Sequence, residues 1–155
     1  ISSAMLGDFN RFRNYKLIIL QFGLNLVGEE NLNYEAYVQR MVGAVNRMKE
    51  IFPNTSFLLL SISDRSTNAD GTLKTMAAIT VMRDAQRLIA QQTGIAFWDM
   101  FSAMGGSGSM IKWVNATPAL GARDYTHLTF RGGKVLAGRL AKSLLVELEH
   151  YEKPQ

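Results

Sequence analysis

The chain holds only two imidazoles, His127 and His150, and no cysteine. General-base chemistry near neutral pH therefore rests on one of two side chains. Thiol catalysis, disulfide scaffolds and cysteine-based zinc sites are excluded. His127 closes the stretch Asp124-Tyr125-Thr126-His127. A carboxylate three residues before an imidazole can accept the ring's Nδ1–H. That bond fixes the tautomer, leaves Nε2 free to take a proton, and stabilises the imidazolium once formed. The plainer alternative is a helix start, with Thr129 as N-cap ahead of Arg131 and Gly132. His150 sits among Glu147, Glu149 and Glu152 and reads as surface.

A second candidate is Gly23-Leu24-Asn25, directly after the apolar run Leu17–Phe22. Ligands of open α/β sheets bind outside the carboxyl ends of the strands. Gly23 permits a tight turn there, and Asn25 offers an amide N–H that could stabilise an oxyanion. Losing such a donor typically costs about 2.7–4 kcal/mol of transition-state energy. Gly and Asn are also ordinary turn residues, so a plain strand-to-loop turn stands beside this reading. The stretch Gly105-Gly106-Ser107-Gly108-Ser109 is glycine-rich. It lacks the Lys of a phosphate-binding P-loop and the spacing of a dinucleotide fingerprint, and Ser109 breaks a G-x-S-x-G elbow. Asp99 ends a strand without a ligand cluster around it. No metal site and no cofactor are implied.

The elements that must position these residues follow from the apolar pattern. Leu17–Phe22, Phe57–Ile62 and Ile95–Met100 are continuous apolar runs, as suits buried strands of a parallel sheet. Between them, Tyr34, Val38, Met41, Val45, Met48 and Phe52 recur at helical spacing. So do Met76, Val81, Ala85, Leu88 and Ile89 within a helix expected over residues 73–93, which Gly94 stops. A last helix is expected over residues 132–150, with Val135, Leu140, Leu144 and Leu148 on one side. Strand, helix, strand, helix, strand, loop, helix is the order of an α/β fold with a parallel sheet. Residues 102–125 carry Gly105, Gly106, Gly108, Pro118 and Gly121 and read as a long functional loop.

With 155 residues, 47% hydrophobic and 19% charged, the chain reads as a single globular domain spanning residues 1–155. The net charge of +4 comes from scattered Lys and Arg, which argues against a nucleic-acid partner. No apolar stretch approaches the roughly 20 residues of a membrane span. Leu17–Phe22 is the most apolar strand and wants a neighbour on each side. Sequence order places both other strands on one flank, leaving an apolar edge that an upstream segment or another subunit should cover.

Taken together, G-x-N after the first strand and D-x-x-H before the last helix resemble the SGNH (GDSL) hydrolase family. Gly23-Leu24-Asn25 resembles the family's third motif block, whose Asn is an oxyanion-hole donor. Asp124 and His127 resemble its fifth block, which supplies the Asp and His of a Ser-His-Asp triad. Leu58–Ser66, Ala96–Val114 and His127–Leu145 are similar to the family's intervening segments, the second to those of bacterial carbohydrate and peptidoglycan O-acetylesterases. The resemblance implies a three-layer α/β/α, flavodoxin-like fold and hydrolysis of an ester, an acetylated glycan or small ester being the substrate. It implies a secreted or periplasmic enzyme without a cofactor. Met104, Gly105, Gly106, Ser107 and Trp113 would then line the substrate side, although Trp113 would serve equally as a core residue.

One block departs. The family's nucleophile lies in a G-D-S motif well upstream of G-x-N, whereas this chain has Gly7-Asp8-Phe9 with no strand before it. The chain therefore reads as the C-terminal part of an SGNH domain whose first strand and nucleophilic Ser lie on other sequence. A non-catalytic glycan-binding or interaction module is the alternative, as is a flavodoxin-like binding domain of no hydrolytic descent.

Overall fold

A computed structural model describes residues 2–152. In chain order the elements are α1 (Ser3–Phe12), β1 (Leu17–Gln21), α2 (Glu35–Ile51), β2 (Ser56–Leu60), β3 (Ser66–Ala69), β4 (Thr72–Thr75), α3 (Ala77–Thr93), β5 (Ala96–Trp98), α4 (Met100–Met104), α5 (Ser109–Val114) and α6 (Phe130–Glu152). The architecture is α/β, a parallel sheet flanked by helices. Its packing falls into two compact units. One runs to Ile62 and resumes over Ala77–Asp99; the other holds Ser63–Met76 and the residues from Met100 on.

The first unit carries the sheet, in the order β1-β2-β5 with both pairs parallel. All three apolar runs form strands, each shorter than its run. Strand β2 is central, and Phe57, Leu58, Leu59 and Leu60 are buried. Among the described residues β1 and β5 are the two edges, each paired to β2 alone. Both other strands do lie on one flank, but β1 is not buried on both faces. Leu17 and Ile19 stay 41% and 47% exposed.

Helices α2 and α3 form the crossovers and pack on each other. Asn33 Oδ1 accepts the Glu35 N–H at 3.0 Å and satisfies one of the free donors at the start of α2. Helix α3 buries Ala78, Ile79, Met82, Ala85, Gln86, Ile89 and Ala90, one stripe at helical spacing. Gly94, at φ +63°, ends it. Gly7 and Asp8 lie on α1, where Asp8 pairs with Arg11 at 3.3 Å. That places them on a solvated helix face.

The second unit corrects two expectations. Residues 73–75 are not helical: β3 and β4 form an antiparallel hairpin, and α3 begins only at Ala77. Asp70 and Gly71 at its tip both have positive φ, 55° and 76°, as a two-residue I′-type turn demands. The long loop of residues 102–125 also holds structure, the end of α4 and all of α5. Helix α6 outruns its expected span at both ends. Gly132 and Leu136 are its buried residues, while Leu144, Leu145 and Leu148 remain exposed. No helix among the described residues is long and apolar enough to cross a membrane.

Candidate active site

His127 is positioned by a closed loop between α5 and α6. The Trp113 carbonyl accepts the N–H groups of Leu120 and Gly121 at 2.8 and 3.0 Å. Ala122 N–H donates to the His127 carbonyl at 2.8 Å, and Thr129 N–H to that of Leu120 at 2.9 Å, around a Gly121–Leu128 bridge. Tyr125 turns the tip at φ +54°, and its carbonyl accepts the Ser66 N–H at 3.0 Å. Thr129 fastens the loop to α6. Its Oγ1 accepts the Gly132 N–H at 3.1 Å, as expected of an N-cap, and donates back to the carbonyls of Ala119 and Leu120. Gly132 is required by close approach, because a Cβ there would stand 2.0 Å from the Leu120 carbonyl oxygen.

Within this loop Asp124 and His127 are brought together. Asp124 Oδ2 lies 2.7 Å from His127 Nδ1. Its other oxygen, Oδ1, accepts the N–H groups of Thr126 and His127 at 2.9 and 3.0 Å. These bonds favour the ionised carboxylate. The His127 backbone N–H is the largest cause, its side chain the second, and the Thr126 N–H the third; together they lower the Asp124 pKa to about 2. With Nδ1–H given to a carboxylate, Nε2 is the free lone pair. Both side chains are exposed, so the ring can meet a substrate without rearrangement of the loop. His150 is an exposed residue of the last turn of α6, as expected.

Gly23 and Asn25 belong to the first unit. Gly23 takes φ +110° and opens a single 3-10 turn over Leu24–Leu26, closed by Leu26 N–H to the Gly23 carbonyl at 2.9 Å. Asn25 is exposed on this turn, immediately beyond β1. Asp99 is ion-paired to Arg87 at 2.7 Å.

The stretch from Met104 to Trp113 divides by exposure. Gly105 and Ser107 are exposed and Gly106 is partly so. Met104 and Trp113 are instead 3% and 6% exposed and bonded to each other, Trp113 Nε1–H to the Met104 carbonyl at 3.0 Å. The Arg139 guanidinium lies 5.7 Å from the Trp113 ring centroid and donates to the Ala103 carbonyl. Trp113 thus packs in the second unit and presents no open ring face for stacking on a sugar.

Two buried polar residues escaped the sequence. Asp64 is fully buried and accepts from Met110 N–H at 2.8 Å, Ser109 Oγ at 3.3 Å and Thr75 Oγ1 at 2.8 Å. Thr75 Oγ1 in turn accepts the Gly108 N–H at 2.7 Å. This network holds the far end of the glycine-rich stretch. The other residue is Gln86, on α3. Neither carries a sequence signal: Asp64 stands among the polar Ser63, Arg65 and Ser66, and Gln86 between Asp84 and Arg87.

No protein-family model and no curated protein matches the chain. Solved structures do. A peptidoglycan O-acetylesterase structure is similar over 86% of this chain at 25% identity and a TM-score of 0.78. The fold is that of an SGNH/GDSL hydrolase. A GDSL-like lipase from Parabacteroides merdae shares this SGNH-type fold over 89% of the chain at 14% identity and a TM-score of 0.57. An alpha/beta hydrolase enzyme from the metagenome of Lake Arreo, Spain, is similar in fold over 88% of the chain at 19% identity and a TM-score of 0.52. The chain spans 38% of the length of the first of these and 66% and 65% of the other two.

Proposed function

We propose that this chain carries the base and part of the oxyanion hole of a serine esterase that removes acyl groups, acetyl foremost, from a glycan. The observation that carries the proposal is the 2.7 Å Asp124–His127 bond, set in an SGNH-type fold. A serine on polypeptide outside these 155 residues attacks the ester carbonyl, and His127 Nε2 takes its proton. The Asn25 amide donates to the oxygen that gains negative charge. The C–O bond to the sugar breaks, and His127 returns the proton to the departing alkoxide. Water, deprotonated by the same Nε2, then releases the acid and restores the serine. Asp124 keeps His127 in the productive tautomer throughout. Exposed Gly105 and Ser107 stand on the substrate side.

The glycan substrate and a location outside the cytoplasm are supported by the likeness to the peptidoglycan O-acetylesterase. We propose in addition that further polypeptide covers Leu17 and Ile19 of β1, which are exposed in this chain. A fluorophosphonate probe tests the reading on the full natural polypeptide. One serine outside residues 1–155 is expected to be labelled, with labelling lost in His127→Ala. Absence of labelling, or labelling indifferent to that substitution, overturns it.

A further inference from the structure

Gln86 is fully buried, yet both ends of its side chain amide are engaged by backbone groups at the carboxyl ends of β1 and β2. Its Oε1 accepts the Ile62 N–H at 2.8 Å, and its Nε2 donates to the Phe22 carbonyl at 2.7 Å. Those two backbone groups are a matched pair. The β1–β2 ladder opens with Ser56 N–H to the Lys16 carbonyl at 3.0 Å, with Leu17 opposite Ser56 and Gln21 opposite Leu60. Rungs of a parallel ladder recur every second residue on each strand. The rung following the last strand pair would therefore join Ile62 N–H to the Phe22 carbonyl. The Gln86 amide occupies that rung and holds the two chains apart by its own width.

The parting occurs one residue before Gly23. A Cβ on Gly23 would lie 3.0 Å from Gln86 Nε2 and 3.3 Å from the Tyr37 hydroxyl, so the turn is fitted against these side chains. Phe22 must aim its carbonyl at Gln86, Gly23 then swings to φ +110°, and the 3-10 turn bearing Asn25 follows.

We infer that Gln86 is a positioning residue: by replacing the last rung between β1 and β2 it sets the Gly23–Asn25 turn and hence the direction of the Asn25 amide. The catalytic consequence rests on the function proposed above, whereas the structural link from Gln86 to the turn does not.

Two measurements on the full natural polypeptide separate these. Amide hydrogen exchange reads the link alone. In Gln86→Met, exchange at Ile62 and Leu26 should quicken at least tenfold while Val45, inside α2, is unchanged. Faster exchange at Ile62 with Leu26 unaltered overturns the inference, because the amide would then satisfy buried groups and no more. Ester hydrolysis reads the consequence. Gln86→Met should lower kcat about tenfold with KM within twofold, and should add less than twofold in an Asn25→Ala background. Equal losses in both backgrounds mark a merely structural residue and overturn it. Should Gln86→Met not fold, Gln86→Asn, polar but too short to span both groups, serves with the same expectations. If the unaltered protein hydrolyses no ester, the proposed function fails, and the exchange data still decide the role of Gln86.

Discussion

Asp124 holds His127 by two handles. One carboxylate oxygen meets the imidazole Nδ1 at 2.7 Å while the other accepts the backbone N–H of the same residue at 3.0 Å. Ring orientation and loop conformation are thereby tied to a single side chain. An exposed contact of this kind ordinarily contributes little to stability, roughly 0–1 kcal/mol even with both groups charged. In the proposed triad the value of this contact lies in geometry, since it holds the imidazole in one tautomer and one direction.

Asp124→Asn should therefore separate activity from stability. The amide oxygen can keep the backbone bonds but removes the charge that favours the imidazolium. A kcat loss of roughly 10²–10⁴-fold is expected. Thermal unfolding should move only modestly, by about 1–2 kcal/mol, because Asn keeps an acceptor for the two backbone N–H groups but not the charge they favour. Kinetics and melting of the same preparation check both. A large melting shift with intact kcat would make the pair structural.

The pH dependence has a definite sign. The Asp124 pKa is lowered to about 2 from an ordinary 3.8, so the folded state binds this proton more weakly than the unfolded chain. Its contribution is complete above about pH 3.8 and fades as pH falls through about 2. Carboxyl NMR should place the midpoint near the lower value. His127→Ala removes the imidazole's hydrogen bond and its coulombic attraction but keeps the two backbone N–H bonds, so the midpoint should rise part of the way and stop short of 3.8.

Neighbouring glycines of α6 should respond in opposite directions. Ala is favoured over Gly inside a helix by about 1 kcal/mol. Gly133 has nothing within 4 Å of an added Cβ, so Gly133→Ala should stabilise by roughly that amount. At Gly132 the Cβ would collide with the Leu120 backbone, and overpacking of this kind costs about 1–3 kcal/mol or more. Gly132→Ala should destabilise on balance and displace the loop that carries His127. Chemical denaturation of both variants compares them directly.

Asp64→Ala should be among the more damaging single changes in the second unit. It strands the Met110 N–H and the hydroxyls of Ser109 and Thr75 in a buried site. Each buried group left without a partner costs about 1–3 kcal/mol. A loss of about 2–4 kcal/mol in urea unfolding is expected, with faster amide exchange at Gly108 and Met110.

Much of the fold and of the candidate site is legible in the sequence. Leu17–Phe22, Phe57–Ile62 and Ile95–Met100 announced strands because a buried parallel sheet leaves no room for polar alternation. Asp124 and His127 announced each other because their spacing suits a local hydrogen bond. The β3–β4 hairpin was hidden. Asp70-Gly71 is a strong turn signal, but the apolar spacing from Leu73 onward continued smoothly into α3 and masked it. The exposed face of β1 and the late turns of α6 went unseen, since apolar composition alone does not say what covers a residue. Trp113 was ambiguous for the same reason, and its burial with Met104 decided it. Gln86 could not be read at all, because its partners are backbone groups 64 and 24 residues away in sequence.

The most direct test compares steady-state hydrolysis of p-nitrophenyl acetate by the full natural polypeptide and its His127→Ala variant at neutral pH. The account predicts turnover by the unaltered protein and a fall in kcat of at least about 10³-fold in the variant, with melting unchanged. Turnover that survives the loss of His127 would contradict it.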